Sequence, residues 1–252
     1  MPYTSGMVPE GSPPRPAPPA LTSILCALAV IVPYYGMAIS SGISIQTEGL
    51  KELPPLADTV LQAVVVFILF CGLTYGLLRY VCHENIADLS RPGSGWGSDI
   101  LHAINISMLL LLGQFIIGSA AGINAGEVSA FNTLLGEQLN TSPLALLVWI
   151  GPVAWLQAAI TEEFTRAFIL TRLWQAWPSR AAMFSVLVLL SFLFGCGHYY
   201  QGAPAVFGTF LIGMVFGLHY MSFRSLRAII LGHGMYDSMV MLFLMFGTRF
   251  AS

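Results

Sequence analysis

Seven stretches of the chain are apolar for the length of a bilayer crossing: roughly residues 21–45, 57–81, 99–123, 143–173, 181–200, 203–222 and 226–248. A hydrocarbon core takes about 20 apolar residues as an α-helix, so each run predicts one spanning helix. Polar residues collect between the runs, from His83 to Ser98, where Arg91 to Gly95 reads Arg-Pro-Gly-Ser-Gly, and from Asn124 to Ser142. Gly and Pro clusters of that kind stop helices, and both segments are expected to be connectors. No run alternates with the period of a strand. The pattern predicts an all-α polytopic transmembrane helix bundle of about seven spans, six to eight, forming one transmembrane domain over residues 21–252. Ahead of it, residues 1–20 carry Pro9, Pro13, Pro14, Pro16, Pro18 and Pro19 with Gly and Ser, a composition that predicts a disordered Pro-rich tail.

Composition agrees with the pattern and narrows the function classes. Of 252 residues, 56% are hydrophobic and 9% charged, whereas a soluble domain carries about 25% charged residues. The mean hydropathy is +0.76, so lipid is the solvent for most of the chain. A formal net charge of −2 gives no basic surface for nucleic acid, which is excluded as a partner. Cys26, Cys71, Cys82 and Cys196 lie in or beside apolar runs without CxxC spacing and read as reduced packing residues. The run from Leu21 to Ile45 is too long for the core of a cleaved signal and reads as a retained span. With the tail inside, Arg15, Arg79, Arg91, Arg172, Arg180, Arg224 and Arg227 fall on inner segments against Lys51 and Arg249 outside. That bias predicts a cytoplasmic N terminus and, with seven spans, an outer C terminus. The expected location is a bacterial plasma membrane. Gly118 to Gly122 and Gly213 to Gly217 form GxxxG patterns, expected to serve packing within the bundle more than dimerisation.

Ionisable residues inside spans cost about 2.5 to 3.5 kcal/mol each on insertion scales, so each needs a reason. The fourth run holds Thr161-Glu162-Glu163-Phe164-Thr165-Arg166, the fifth ends in Phe194-Gly-Cys-Gly-His198, and the seventh holds His233-Gly-Met-Tyr-Asp237. Positions four apart share a helix face, which pairs Glu162 with Arg166, Phe194 with His198 and His233 with Asp237. An Arg beside two carboxyl groups neutralises one and leaves the other free to exchange protons, the requirement for a general base. His219 has no such partner and reads as structural. His83-Glu84 is followed by Ala87, so the zinc signature HExxH fails.

In this order the three motifs resemble the CPBP family of intramembrane proteases, the CAAX prenyl protease and bacteriocin-processing, or Abi, enzymes. The resemblance spans about residues 140–245 and includes Ser191–Gly202, Phe207–Tyr220 and Ser225–Asp237. It implies an endopeptidase acting on a peptide or lipidated protein substrate held in membrane lipid. It also implies that Glu162 or Glu163 activates water with His198, and that His233 and Asp237 stabilise the oxyanion. Two departures from the family pattern stand out. EExxxR is shortened by one residue: aligned on Arg166, Thr161 takes the first Glu's place, and aligned on the carboxylates, Glu162 does. We favour Glu162. Asp237 stands where Asn is commonest, and an ionised Asp donates no hydrogen bond to an oxyanion.

At 1.5 Å per residue Glu162 lies about 15 Å from Arg172, His233 about 9 Å from Arg227 and His198 about 27 Å from Arg180. Taken as depths from a common surface, these values leave His198 too far out unless its span tilts. No cofactor is required by the residues, although His198, His233 and Glu162 would also serve as Zn²⁺ ligands whose bound water attacks. Two further readings use the same residues: a proton- or cation-coupled transporter, and a catalytically silent membrane scaffold or immunity protein.

Overall fold

In the computed structural model, residues 18–91, 95–120 and 129–251 are described. They form eight helices: α1 (Ala20–Glu48), α2 (Leu56–Val81), α3 (Trp96–Ala120), α4 (Ala130–Thr141), α5 (Pro143–Ala176), α6 (Arg180–Gly197), α7 (Ala203–Phe223) and α8 (Leu226–Ala251). All but α4 are long and apolar enough to cross a membrane, and no strand occurs among the described residues. The chain is an all-α integral membrane protein. The predicted tail lies outside the described residues up to position 17, and α1 already begins at Ala20.

Helix α5 is the axis of the bundle. Its second half is buried continuously from Thr161 to Trp174 apart from Glu162, and it packs against α1, α2, α6 and α8. Its middle, Trp149–Ile160, is π-helical, with Pro152 inside. A π-helix bonds i to i+5, and the Thr161 hydroxyl follows the same step, donating to the Leu156 carbonyl at 2.6 Å. The wider turn ends at Ile160, two residues before Glu162, and sets the face on which both glutamates emerge.

The segment Asn124–Ser142, expected to be a connector, contains helix α4. Ser129 caps it by accepting from the Asn132 N–H at 3.2 Å. Phe131, Leu135 and Leu139 recur at helical spacing and pack against Trp149 and Met245. A short amphipathic helix of that kind needs a neighbouring apolar surface, which the linear pattern does not display.

Small residues bring the helices of the matching faces together. A methyl group on Gly217 would collide with the Leu187 side chain, and one on Gly213 would meet Phe194, Ser191 and Arg166 at 3.0 to 3.3 Å. That GxxxG pattern therefore serves packing of α7 on α6, as expected, while Gly118 to Gly122 runs outside the described residues. Gly195 is closer still: its absent Cβ would collide with the Val206 carbonyl oxygen and lie 3.2 Å from the Phe210 backbone nitrogen. Backbone cannot step aside as a side chain can. Gly195→Ala is expected to destabilise the protein by about 1 to 3 kcal/mol through overpacking, read as a lowered thermal unfolding midpoint in detergent; an unchanged midpoint would show that α6 and α7 separate freely.

The arginine-rich end is tied by polar contacts. Arg172, fully buried, pairs with Glu84. Arg227 pairs with Asp99 at 2.6 Å, and the Arg91 N–H donates to the Arg224 carbonyl at 2.6 Å.

Candidate active site

Arg172 is not a helix end: α5 continues to Ala176, and the guanidinium is buried against Glu84. Contacts between helices supply better level marks than charged residues do. The Arg224 guanidinium donates to the Thr171 hydroxyl at 3.0 Å, setting the α7–α8 turn beside Thr171. Nine residues separate Thr171 from Glu162, and nine separate Arg224 from His233, about 14 Å each. The Trp174 indole donates to the Met183 carbonyl at 3.1 Å. From that level Glu162 lies about 18 Å along α5 and His198 about 22 Å along α6. The three helices start at different heights, and their polar residues converge to within about one turn.

Phe194 is the hub of that convergence. Its ring lies 4.8 Å from the His198 ring and 6.4 Å from the His233 ring, centroid to centroid, and the Arg166 guanidinium sits 4.2 Å above it. All six residues expected from sequence therefore belong to one neighbourhood inside the bundle, carried by α5 (Glu162, Glu163, Arg166), the end of α6 (His198) and α8 (His233, Asp237).

The two glutamates have different surroundings. Glu163 is fully buried. Its Oε1 lies 2.8 Å from His233 Nδ1, and its Oε2 lies 3.1 Å from Arg166 Nε. The latter contact lies off the N–H direction and is ionic rather than a hydrogen bond. Arg166 also donates to the Gly213 carbonyl at 3.3 Å. Glu162 makes no such close contact and meets His233 only at a longer ionic distance. Its buried Oε2 has no hydrogen-bond partner among the described residues and lies 3.8 Å from His233 Nε2. Asp237 Oδ2 lies 3.5 Å from the same nitrogen. One imidazole thus faces Glu163 through Nδ1 and both Glu162 and Asp237 through Nε2.

The histidines are oriented by fixed neighbours. His233 stacks on Phe216, centroids 4.8 Å apart at 20°. Its backbone is pressed onto α5, since a Cβ at Gly234 would meet the Trp155 ring at 2.7 Å. Ser107 of α3 holds the preceding turn by donating to the Gly232 carbonyl at 2.8 Å. His198 follows the last residue of α6, and its Nδ1 lies 3.0 Å from the Phe194 carbonyl. A carbonyl only accepts, so Nδ1 carries the hydrogen, and in the neutral ring Nε2 is an acceptor.

Among the described residues, no three or more His, Cys, Asp or Glu side chains are arranged to hold a metal ion. His219, read as structural, contacts His102 and Phe223, ring centroids 5.0 and 4.6 Å away, apart from the site. Sequence reasoning missed Phe194 as the shared ring, the Trp155 platform and Glu84 as the partner of Arg172. Of these only Phe194 had a sequence signal, its place four residues before His198.

Residues 144–239 match the family described as type II CAAX prenyl endopeptidase, Rce1-like. The matched segment contains all six site residues. No curated protein and no solved structure matches the chain.

Proposed function

We propose, from the match of residues 144–239 to the type II CAAX prenyl endopeptidase family, that the chain is an intramembrane endopeptidase in which Glu162 activates water to hydrolyse a peptide bond. The proposed substrate is membrane-associated, either a CAAX-type prenylated protein or a leader-bearing peptide. The observation that carries this reading is the unequal pair: Glu163 is engaged closely by Arg166 and His233, at 3.1 and 2.8 Å, while Glu162 presents a buried oxygen that makes no hydrogen bond and lies 3.8 Å from His233. A buried acceptor without a partner is uncommon, and a carboxylate so placed is suited to take a proton from water.

In this mechanism water is held by Glu162 Oε2 and by His198 Nε2, whose acceptor state is set by the Phe194 carbonyl. Its oxygen attacks the scissile carbonyl and its proton passes to Glu162. His233 acts here as the imidazolium: its Nδ1–H donates to Glu163 and its Nε2–H meets the tetrahedral oxyanion. Glu162 then returns the proton to the departing amine, and the products are a carboxylic acid and an amine. Peptide hydrolysis needs both a base that deprotonates water and fixed donors that stabilise the oxyanion, and this arrangement divides the two tasks between Glu162 and His233. Asp237 orients His233 from the opposite side in this reading.

The test is cleavage of quenched fluorogenic peptides, a prenylated one included, by the purified protein in liposomes, with and without a zinc chelator. The expected result is cleavage indifferent to the chelator. Activity lost to the chelator and restored by Zn²⁺ would replace the glutamate mechanism by a metal one, and no cleavage of any peptide would favour the transport or scaffold readings.

A further inference from the structure

The mechanism leaves the oxyanion with one donor, His233 Nε2, because an ionised Asp237 only accepts. We propose that Tyr200, in the short turn Tyr199–Gln201 between α6 and α7, is a further catalytic residue whose hydroxyl donates the second hydrogen bond to the substrate carbonyl as it becomes an oxyanion. This assignment rests on the endopeptidase reading.

The turn is held in place from several sides. Gln46 of α1 donates to the Tyr200 carbonyl at 2.9 Å. Gly42 of the same helix lets α1 approach, since a Cβ there would lie 3.1 Å from the Tyr200 nitrogen. Gly202, at φ 98°, closes the turn in a conformation that favours glycine. The tyrosine ring sits 5.8 Å from the His198 ring and edge-on to Phe131 of α4 at 4.9 Å, so it has aromatic neighbours on both elements. Phe131 thereby gives α4 a role, which is to brace the tyrosine ring.

The hydroxyl is directed as well. Gln201 Nε2 donates to it at 2.8 Å, which occupies one lone pair and leaves its own proton to be donated elsewhere. The tyrosine ring reaches the site through His198, whose ring packs on Phe194 at 4.8 Å, and Phe194 in turn lies 6.4 Å from the His233 ring, centroid to centroid. Burial pushes the phenol well above its ordinary value, opposed by the Gln201 bond and aided by the charges of Glu162 and Asp237, so the hydroxyl keeps its proton at neutral pH. A neutral O–H, oriented by Gln201 on a ring 5.8 Å from that of His198, is preorganised to turn to an oxyanion formed at the site.

The experiment compares wild type, Tyr200→Phe, Gln201→Met and Glu162→Gln in liposomes, measuring kcat and KM on the best peptide of the panel. Affinity for a phosphinate analogue of that peptide is measured alongside, with thermal unfolding in detergent as the fold control. Tyr200→Phe is expected to lower kcat about 100-fold, in the range for loss of one oxyanion donor, with KM within about twofold. It should weaken phosphinate binding by a similar factor. Gln201→Met, which frees the hydroxyl to turn away, is expected to lower kcat several-fold and decides the matter if the Phe variant does not fold. Wild-type kcat and phosphinate affinity in either folded variant, with Glu162→Gln inactive, would overturn the assignment and leave the endopeptidase reading standing. Wild-type protein that cleaves no peptide would overturn both.

Discussion

Replacing Glu162 with Gln is expected to abolish peptide cleavage, by at least about 1,000-fold in kcat, while leaving the helix bundle intact. General base catalysis contributes about 100- to 10,000-fold, and here the same carboxyl is also required to return the proton to the leaving amine. Gln is isosteric and neutral, so it accepts a hydrogen bond from water without removing a proton. The fold should be indifferent, because Glu162 Oε2 makes no hydrogen bond that the substitution would break. Cleavage rates in liposomes, with circular dichroism and thermal unfolding of the same preparations, check both halves. Wild-type turnover in Glu162→Gln would transfer the base role elsewhere. Glu163→Gln separates the two alignments of the shortened first motif. It removes the charge that faces Arg166 and His233, so it is expected to cost stability as well as activity, whereas Glu162→Gln costs activity alone.

The largest expected effect on stability belongs to Arg166. Arg166→Ala removes a guanidinium that is 1% exposed and leaves the Glu163 carboxylate, 0% exposed, without its ionic partner. Breaking a buried ion pair from one side typically costs about 3 to 5 kcal/mol, because the remaining charge is stranded in a low-dielectric interior. The packing loss adds to this, since the guanidinium lies over the Phe194 ring and against the Gly213 carbonyl. The expected outcome is poor expression and a lowered unfolding midpoint in detergent. Arg166→Met combined with Glu163→Gln removes both charges while keeping much of the volume. It should recover most of the stability but not the cleavage, since His233 would lose the carboxylate that directs it. Normal yield and stability of Arg166→Ala would show that Glu163 is compensated by His233 alone.

Much of this site is legible without the fold, for one reason. In an apolar span a charged residue is costly, so Glu162, Glu163, Arg166, His233 and Asp237 stand out from their surroundings in a way that the same residues on a soluble surface do not. His198 stands out through its spacing from Phe194. The converse also holds: groups that are neither charged nor rare in membranes leave no mark. Trp155 and Tyr200 are aromatic residues in or beside apolar runs, and nothing in their order along the chain separates a site wall from ordinary packing. The depth of His198 is misplaced by the linear count for a related reason. Arg172 has the look of a membrane-surface residue because an unpaired arginine must be one, and its partly buried partner, Glu84, lies 88 positions away in sequence.

The amino-acid sequence by itself determined the all-α membrane class, the spans to within a few residues, and the polar residues that share each helix face. These follow from local quantities: the length of an apolar run, the cost of a charge in lipid, and the 3.6-residue period. Tertiary structure decided everything that depends on the relative height and rotation of the helices. It placed His198 level with His233, turned Glu163 toward Arg166 and His233 while leaving Glu162 Oε2 without a hydrogen bond, and folded α4 against Trp149 and Met245. The physical reason is that these relations are set by close packing at Gly195, Gly213, Gly217 and Gly234 and by the π-helical register before Thr161. Such contacts join residues far apart in the chain, and a linear pattern carries no record of them.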